Sequence, residues 1–432
     1  MTGHRLGATI ITAVPLVLGF ATPAGASSFY LHEQSIKAAG RAFSGEAADQ
    51  GPESLWWNPA SIAGATGVSG AFGAAAIMPH ANVRDTGTQI IRPGQAPAPV
   101  GGDGSPPNPA KFGVLPSGAI AVPVNDRIAL GLALSSPFSL TTNYPSNSWT
   151  RYVADKTKLI TIDIQPSVGV MLTDNVRVGA GINLEYSHAI LQKELPNLSP
   201  LLADGSQKLK GNAFDVGWSL GAQYVTPRVT LGLSYKSAIK HSYDGTLAIS
   251  GLQGFLAGAN GTIDTKASFT TPWQAIGAIR VKATDAVTLN LQAIRFGWAK
   301  FDRIRLTLPA GAFVPEEYRN TWMVAGGVDW DVSPATTIRG GIYRDQTPTQ
   351  NGGRRDANVP DGNRTGFSLG GSQKLNAKFT IDLAAEYINF DRSTIDRGTV
   401  DYAGSPLATT VITSGTSKAH AIVLGVGGRF AF

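Results

Sequence analysis

Val176-Arg177-Val178-Gly179-Ala180-Gly181-Ile182-Asn183-Leu184-Glu185-Tyr186-Ser187 alternates without interruption. The even positions are apolar and the odd ones polar or small. Successive side chains of a strand point to opposite faces, so a period of two means a strand with one greasy wall and one polar wall. The pattern returns at Ile160, Ile162 and Ile164, at Val229, Leu231, Leu233 and Tyr235, and at Phe379, Ile381, Leu383, Ala385 and Tyr387, each set interleaved with polar or small residues.

Working outward, the connections between such strands alternate in length. Short ones fall at Asn125-Asp126, Asp174-Asn175, Pro227-Arg228, Lys282 to Asp285, Ser333-Pro334 and Asn376-Ala377. Long ones, rich in Gly, Pro, Asn and Asp, cover about 79–112, 137–156, 189–211, 250–264, 302–318, 347–363 and 392–418. Six short turns and seven long loops join fourteen strands, the plan of an all-β transmembrane barrel with both chain ends on the short-turn side. A lipid-facing outside and a polar lumen also explain the composition. Charged residues are only 15% of the 432, 43% are hydrophobic, and apolar and polar contributions to hydropathy cancel. The last strand alternates Ile422, Leu424, Val426, Phe430 and Phe432 with small or polar residues and stops on an aromatic ring, which suits assembly into an outer membrane.

His4 and Arg5, the apolar run Leu6 to Phe20 and then Ala24-Gly25-Ala26 read as a signal peptide over 1–26, cleaved before Ser27. Between that site and the first strand, Thr66 to Met78, residues 27–65 do not alternate. Some forty residues are too long for a tether, and a fourteen-stranded lumen must be filled or conduct water, so the segment reads as a plug, or hatch, inside a barrel of residues 66–432.

The residues of that segment resemble a known family. Ser27-Ser28-Phe29-Tyr30-Leu31-His32-Glu33-Gln34-Ser35, Gly40-Arg41-Ala42-Phe43-Ser44-Gly45 and Trp57-Asn58-Pro59-Ala60 are similar to the opening of the long-chain fatty acid transporters of the outer membrane, the FadL and TodX type. The likeness continues through Ser136-Pro137-Phe138, Trp149-Thr150-Arg151-Tyr152, Gln165-Pro166-Ser167, Trp298-Ala299-Lys300-Phe301, Gln346-Thr347-Pro348 and Val359-Pro360-Asp361. Ser139 and Ser61 depart from it, standing where Gly is common. The resemblance implies a fourteen-stranded barrel whose hatch includes Phe29, Asn58, Pro59 and Ala60, located in the outer membrane of a Gram-negative bacterium. It further implies passive uptake of hydrophobic compounds, long-chain fatty acids first and aromatic hydrocarbons as the alternative, with lateral release at a kinked third strand. Gly131, on the inner face of Arg127 to Ser135 with Ala129 and Ala133, is the candidate for that kink, and room for the hatch is the competing reading.

Two loops are too apolar for solvent. Leu195, Leu198, Leu201 and Leu202 have near-helical spacing, as do Leu252, Phe255 and Leu256, and together they are the expected capture surface. A fatty carboxylate would need a cation or donors, for which His188 at the top of the fifth strand, Lys193 and Arg151 are the candidates by sequence. Asn58, before a proline, is expected to start a turn and anchor the hatch. Arg354-Arg355 reads as an outer-surface contact for lipopolysaccharide phosphate.

Other classes find little support. Without cysteine there is no thiolate metal site and no cysteine nucleophile, and the five mature histidines lack metal-ligand spacing. Gly217-Trp218-Ser219-Leu220-Gly221 and Gly366-Phe367-Ser368-Leu369-Gly370 match a nucleophile-elbow pattern, but both lie inside alternating strands, where no such elbow forms. No cofactor and no enzyme are expected. Nor is nucleic acid, because a net charge of +6 is dispersed along the chain. A general porin leaves the hatch and apolar loops unexplained, and an adhesive barrel predicts no small-ligand affinity. A barrel with its own hatch needs no second copy to close it.

Overall fold

The computed structural model describes residues 29–307, 313–350 and 355–432. The expected leader, 1–26, lies outside them. Strands β1 (Ser69–Asp85), β2 (Gly113–Pro123), β3 (Ile128–Ser135 with Ser139–Asn143), β4 (Lys156–Met171), β5 (Val176–Leu195), β6 (Gly205–Val225) and β7 (Val229–Lys236 with Lys240–Ser250) form the first half of the barrel. The second half is β8 (Gly261–Thr270 with Gln274–Lys282), β9 (Val287–Phe296 with Arg303–Leu306), β10 (Phe313–Pro315 with Thr321–Ser333), β11 (Thr336–Asp345), β12 (Arg364–Lys374), β13 (Phe379–Phe390 with Ser393–Ile395) and β14 (Gly415–Ala431). Each strand pairs antiparallel with its neighbours, and β14 returns to β1 in unbroken register from Ser69↔Ala431 to Asp85↔Gly415. The result is a closed fourteen-stranded barrel. Closure leaves no sheet edge, as hydrocarbon requires.

The alternation turns this barrel inside out relative to a soluble protein. Ile182, Phe214, Val216, Trp218 and Leu233 are exposed on the outer wall, whereas Asp163, Gln165, Glu185, Gln223 and His241 are buried in the lumen. Strands run further beyond the membrane than expected: the loop placed at 189–211 shrinks to 196–204, and β1 continues to Asp85. Above the membrane neither face meets lipid, so the hydrophobic alternation fades while the backbone ladder continues. Ser219 and Ser368 sit mid-strand in β6 and β12, not on elbows.

Residues 29–65 fill the lumen and are almost wholly buried. Short turns make up this hatch: a one-turn helix Ile36–Ala39 and 3-10 turns Glu46–Ala48, Pro52–Ser54 and Pro59–Ile62. Ala42 and Phe43 take left-handed φ values of 57° and 59°, which cost side-chain-bearing residues free energy. They are held there because Arg41 between the wall and Glu46 and Asp49 fixes the turn.

The wall meets the hatch through glycines. Asn58 Oδ1 accepts the Ala60 amide at 2.9 Å, and its Nδ2 donates to Ala47 O at 2.6 Å and Ala222 O at 3.2 Å. A Cβ on Gly221 would lie 1.8 Å from Asn58 Oδ1, and one on Gly179 would lie 2.3 Å from the Pro59 backbone. Only glycine lets β5 and β6 approach the Asn58-Pro59-Ala60 turn this closely. We expect Asn58→Ala to leave the barrel closed but to loosen the hatch by about 1–3 kcal/mol, because a buried amide loses its acceptor. Limited proteolysis and denaturant midpoints check this. Gly221→Ala should act on the same contact, so the double variant should cost less than the sum, and strict additivity would refute the shared contact.

Candidate functional site

Above the hatch, between the extracellular ends of the strands and their loops, lies a cavity of about 370 Å³. Its walls are apolar: Leu140 from β3, Leu159 from β4, Leu191 from β5, Leu209 from β6, Phe269 from β8 and Ile304 from β9. Inward positions of neighbouring strands supply most of these, so the lumen changes from polar beside the hatch to apolar above it. Another cavity of about 470 Å³, around Arg319, Thr347, Arg355 and Asp391, is lined largely by polar groups and suits water better than hydrocarbon.

The hatch supplies the floor. Phe29 meets Trp298 edge-on with ring centres 5.0 Å apart, Phe301 at 5.4 Å and Phe138 at 5.8 Å. From there the hatch is stitched to a gap in β3. Regular pairing of β3 runs through Gly131, opposite Ala121 and Ser167, and stops instead at Ser136-Pro137-Phe138. The break is therefore not at Gly131. A Cβ there would meet Ile62 and Leu55 of the hatch at 2.7 Å, so Gly131 makes room. At the break, Leu31 N donates to Pro137 O at 2.9 Å and Ser139 N to Phe29 O at 2.8 Å. Gln34 takes the Ser136 amide at 2.9 Å and donates to its carbonyl at 3.1 Å. Phe138 N donates to Thr161 Oγ1 of β4 at 3.0 Å.

The expected capture residues fall elsewhere. Leu195 ends β5 as strand, not helix, and packs with Leu198, Leu252 and Leu256 into a small core of their own, joined by Tyr402 and Leu407. Leu201 is 93% exposed, Leu202 is exposed and Phe255 is 91% exposed, so neither run presents a single apolar face. These residues brace the loops and do not line the cavity.

The candidate cations are mostly spent. His188 shares the outward register of Ile182 and Tyr186 and bonds Asn212 Oδ1 at 2.8 Å, so it faces away from the lumen. Arg151 clamps loops, reaching Asp204 at 3.1 Å and the carbonyls of Val100 and Gly101. Lys193 does line the cavity, paired to Asp401. Arg355 is buried and donates to the carbonyls of Thr349 and Thr394, which removes it from the outer surface, while Arg354 lies outside the described residues. Sequence reasoning missed Arg397, which lines the cavity and bonds Asp356 at 2.9 Å with Glu316 at 3.7 Å. It also missed the walls themselves, although inward alternation in β4, β5 and β6 pointed to Leu159, Leu191 and Leu209.

A closed barrel, apolar outside, with a fitted hatch beneath an apolar cavity, defines an outer-membrane transport channel. Comparison gives the family: the chain belongs to the outer membrane protein transport proteins (OMPP1/FadL/TodX), whose family model matches residues 17–432. It is 26% identical to the long-chain fatty acid transport protein of Escherichia coli O6:H1, over 88% of this chain and 92% of that one. Outer membrane protein P1 of Haemophilus influenzae is 24% identical over 98% of both. Among solved structures, a Pseudomonas aeruginosa FadL homologue superposes with a TM-score of 0.82 at 23% identity, covering 94% of this chain and 100% of that one. The Pseudomonas putida toluene transporter TodX superposes at 0.67 with 15% identity, covering 94% and 100%. The fold and the outer-membrane location follow.

Burial and the neighbouring Asp356 carboxylate push the Glu316 carboxyl up to about 8, against the pull of Arg397. An acid raised in the folded state stabilises it only while protonated. That contribution is complete below the ordinary value of 4.5 and is lost as pH rises through about 8. Opening of the 313–318 segment, read by hydrogen exchange corrected for intrinsic rates, should therefore increase between about pH 5 and pH 8. Glu316→Gln should flatten the slope, and an unchanged slope in that variant would exclude Glu316 as its source.

Proposed function

We propose that this protein carries hydrophobic molecules passively across the outer membrane, long-chain fatty acids first, as a single chain. The observation that carries the reading is one connected arrangement: an apolar cavity whose floor is Phe29, and a strand break whose backbone groups are occupied by Phe29, Leu31 and Gln34. A ligand settling on Phe29 presses on the residues that seal the break. Displacing them frees a lateral opening at Ser136-Pro137-Phe138, through which an apolar molecule enters lipid without crossing water. Each methylene buried in the cavity contributes about 0.8 kcal/mol, so an acyl chain can supply micromolar affinity before ordering costs.

A second reading, uptake of aromatic hydrocarbons or other neutral apolar molecules, is favoured by the pairing of Lys193 with Asp401 and of Arg397 with Asp356. Both cations are already neutralised, and a carboxylate would compete with buried acids for them. The test is binding of a fluorescent long-chain fatty acid to detergent-purified protein, competed by oleate, oleyl alcohol and toluene. Preferential displacement by oleate supports fatty acids; equal displacement by the alcohol, or displacement by toluene, supports the neutral class. Phe29→Ala should weaken binding about tenfold or more by removing the floor ring. Absence of saturable binding by any of the three would refute both readings.

A further inference from the structure

The outer wall carries a second, unassigned feature. Outward positions of β4, β5 and β6 are apolar from Val170 to Ile160, from Val176 to Tyr186 and from Tyr224 to Phe214. On tilted strands each run rises about 25 Å, the height of a barrel's apolar band. Tyr186 and Phe214, paired across β5 and β6, mark its upper edge. Above that edge the outward positions of β4 and β6 carry lysine, Lys158 and Lys156 on β4 and, beyond Asn212, Lys210 and Lys208 on β6, while β5 between them carries His188, Ile190 and Gln192. Register places Lys156 opposite Gln192 and Gln192 opposite Lys208, and Lys158 opposite Ile190 and Ile190 opposite Lys210. Four ammonium groups thus stand in two cross-strand rows, about 10 Å apart across the strands and about 7 Å apart along them.

Like charges this close on one sheet face repel, and the chain offers them little relief. Among the described residues, none of the four makes an ion pair or a side-chain hydrogen bond. Of the acids nearby, Asp155 accepts from Gln192 at 2.8 Å and attracts Lys156 without forming an ion pair, and Asp244 pairs with Lys266 at 2.7 Å. Glu194, at the top of β5, lies next to Asp155, Asp204 and Arg151. His188 is bonded to Asn212. A level just above the apolar band is where lipid head groups sit, and unpaired lysines there call for anions.

We propose that Lys156, Lys158, Lys208 and Lys210 form a binding site for a lipid whose head group carries two phosphates, the lipid A portion of lipopolysaccharide, with its acyl chains against Ile160, Ile162 and Phe214. Two rows of paired ammonium groups match two phosphates, and the wall below supplies apolar surface for the chains. Register puts all four on the outward parity of their strands, and because Lys158 also borders the cavity of about 370 Å³, the readout is lipid binding and not cargo uptake.

Binding of bisphosphorylated and monophosphorylated lipid A to the detergent-solubilised full chain tests it, read by native mass spectrometry across a titration. The wild-type protein should bind the bisphosphorylated lipid saturably and at least tenfold more tightly than the monophosphorylated one. The variant K156Q/K158Q/K208Q/K210Q should lose that tenfold difference, while K111Q/K282Q/K300Q/K374Q, which removes the same charge elsewhere, should keep it. Equal binding of the two lipids by the wild-type protein would overturn the proposal even if the first variant failed to fold. So would equal losses in both variants.

Discussion

A backbone amide left without a partner in hydrocarbon costs several kcal/mol, and everything else in this molecule is arranged around avoiding that cost. The seam between β14 and β1 meets it around the circumference by pairing every residue from Ser69 to Asp85. Closing fourteen strands solves the edge and creates a lumen too wide for wall side chains to fill. Residues 29–65 occupy that space, and the polar inner wall becomes their partner rather than a surface for water.

Among the described residues, the break in the wall that the start of the hatch fills is Ser136-Pro137-Phe138. Proline has no amide to donate, so position 137 cannot contribute a ladder hydrogen bond through its nitrogen. The hatch takes over the freed groups through Leu31, Phe29 and Gln34, and Thr161 takes another. A defect in the wall and the first residues of the plug are thus a single structure. Deeper in the lumen the hatch is held differently. Arg41 faces Glu46, Asp49 and Asp329; Arg280 and Arg339 also reach Asp329; Lys37 bridges Asp49 and Glu53. A group of this cluster that lost all its partners would be a stranded buried charge, at about 3–5 kcal/mol. The limb at Phe29 to Gln34 rests on hydrogen bonds and ring contacts, including His32 to Asp345 at 3.0 Å and Arg364 to the Tyr30 carbonyl at 3.3 Å.

Legibility in the sequence followed the membrane. Where one face meets lipid, alternation is enforced, and the strands, their number and the short turns could be read from residues such as Ile182, Asn183, Leu184 and Glu185. Above the membrane the enforcement ends. Leu195 and Leu198 looked helical because several inward and loop leucines happened to recur at three and four residues, and nothing in the pattern said that β5 continued through them. Lys193 and Arg397 find their carboxylates at Asp401 and Asp356, whose proximity is set by how loops fold over the barrel. His188 is a different case: its parity with Ile182 and Tyr186 already put it on the lipid side, and the information was present in the alternation itself.

That parity has a larger consequence. A period of two commits each strand residue to one of two solvents, and along β4, β5 and β6 the two solvents change at different heights. On the outside of β4 and β6, apolar residues give way to lysine where hydrocarbon gives way to head groups. On the inside, Gln165, Asn183 and Ser219 near the hatch give way to Leu159, Leu191 and Leu209 above it. The same strands are therefore apolar outward and polar inward at the level of the membrane, and polar outward and apolar inward beyond it. Apolar surface thus lines the cavity inside and the wall outside at different heights, with polar lumen beside the hatch. The break in β3 lies beside Phe138, whose ring meets Phe29 at the floor of the cavity.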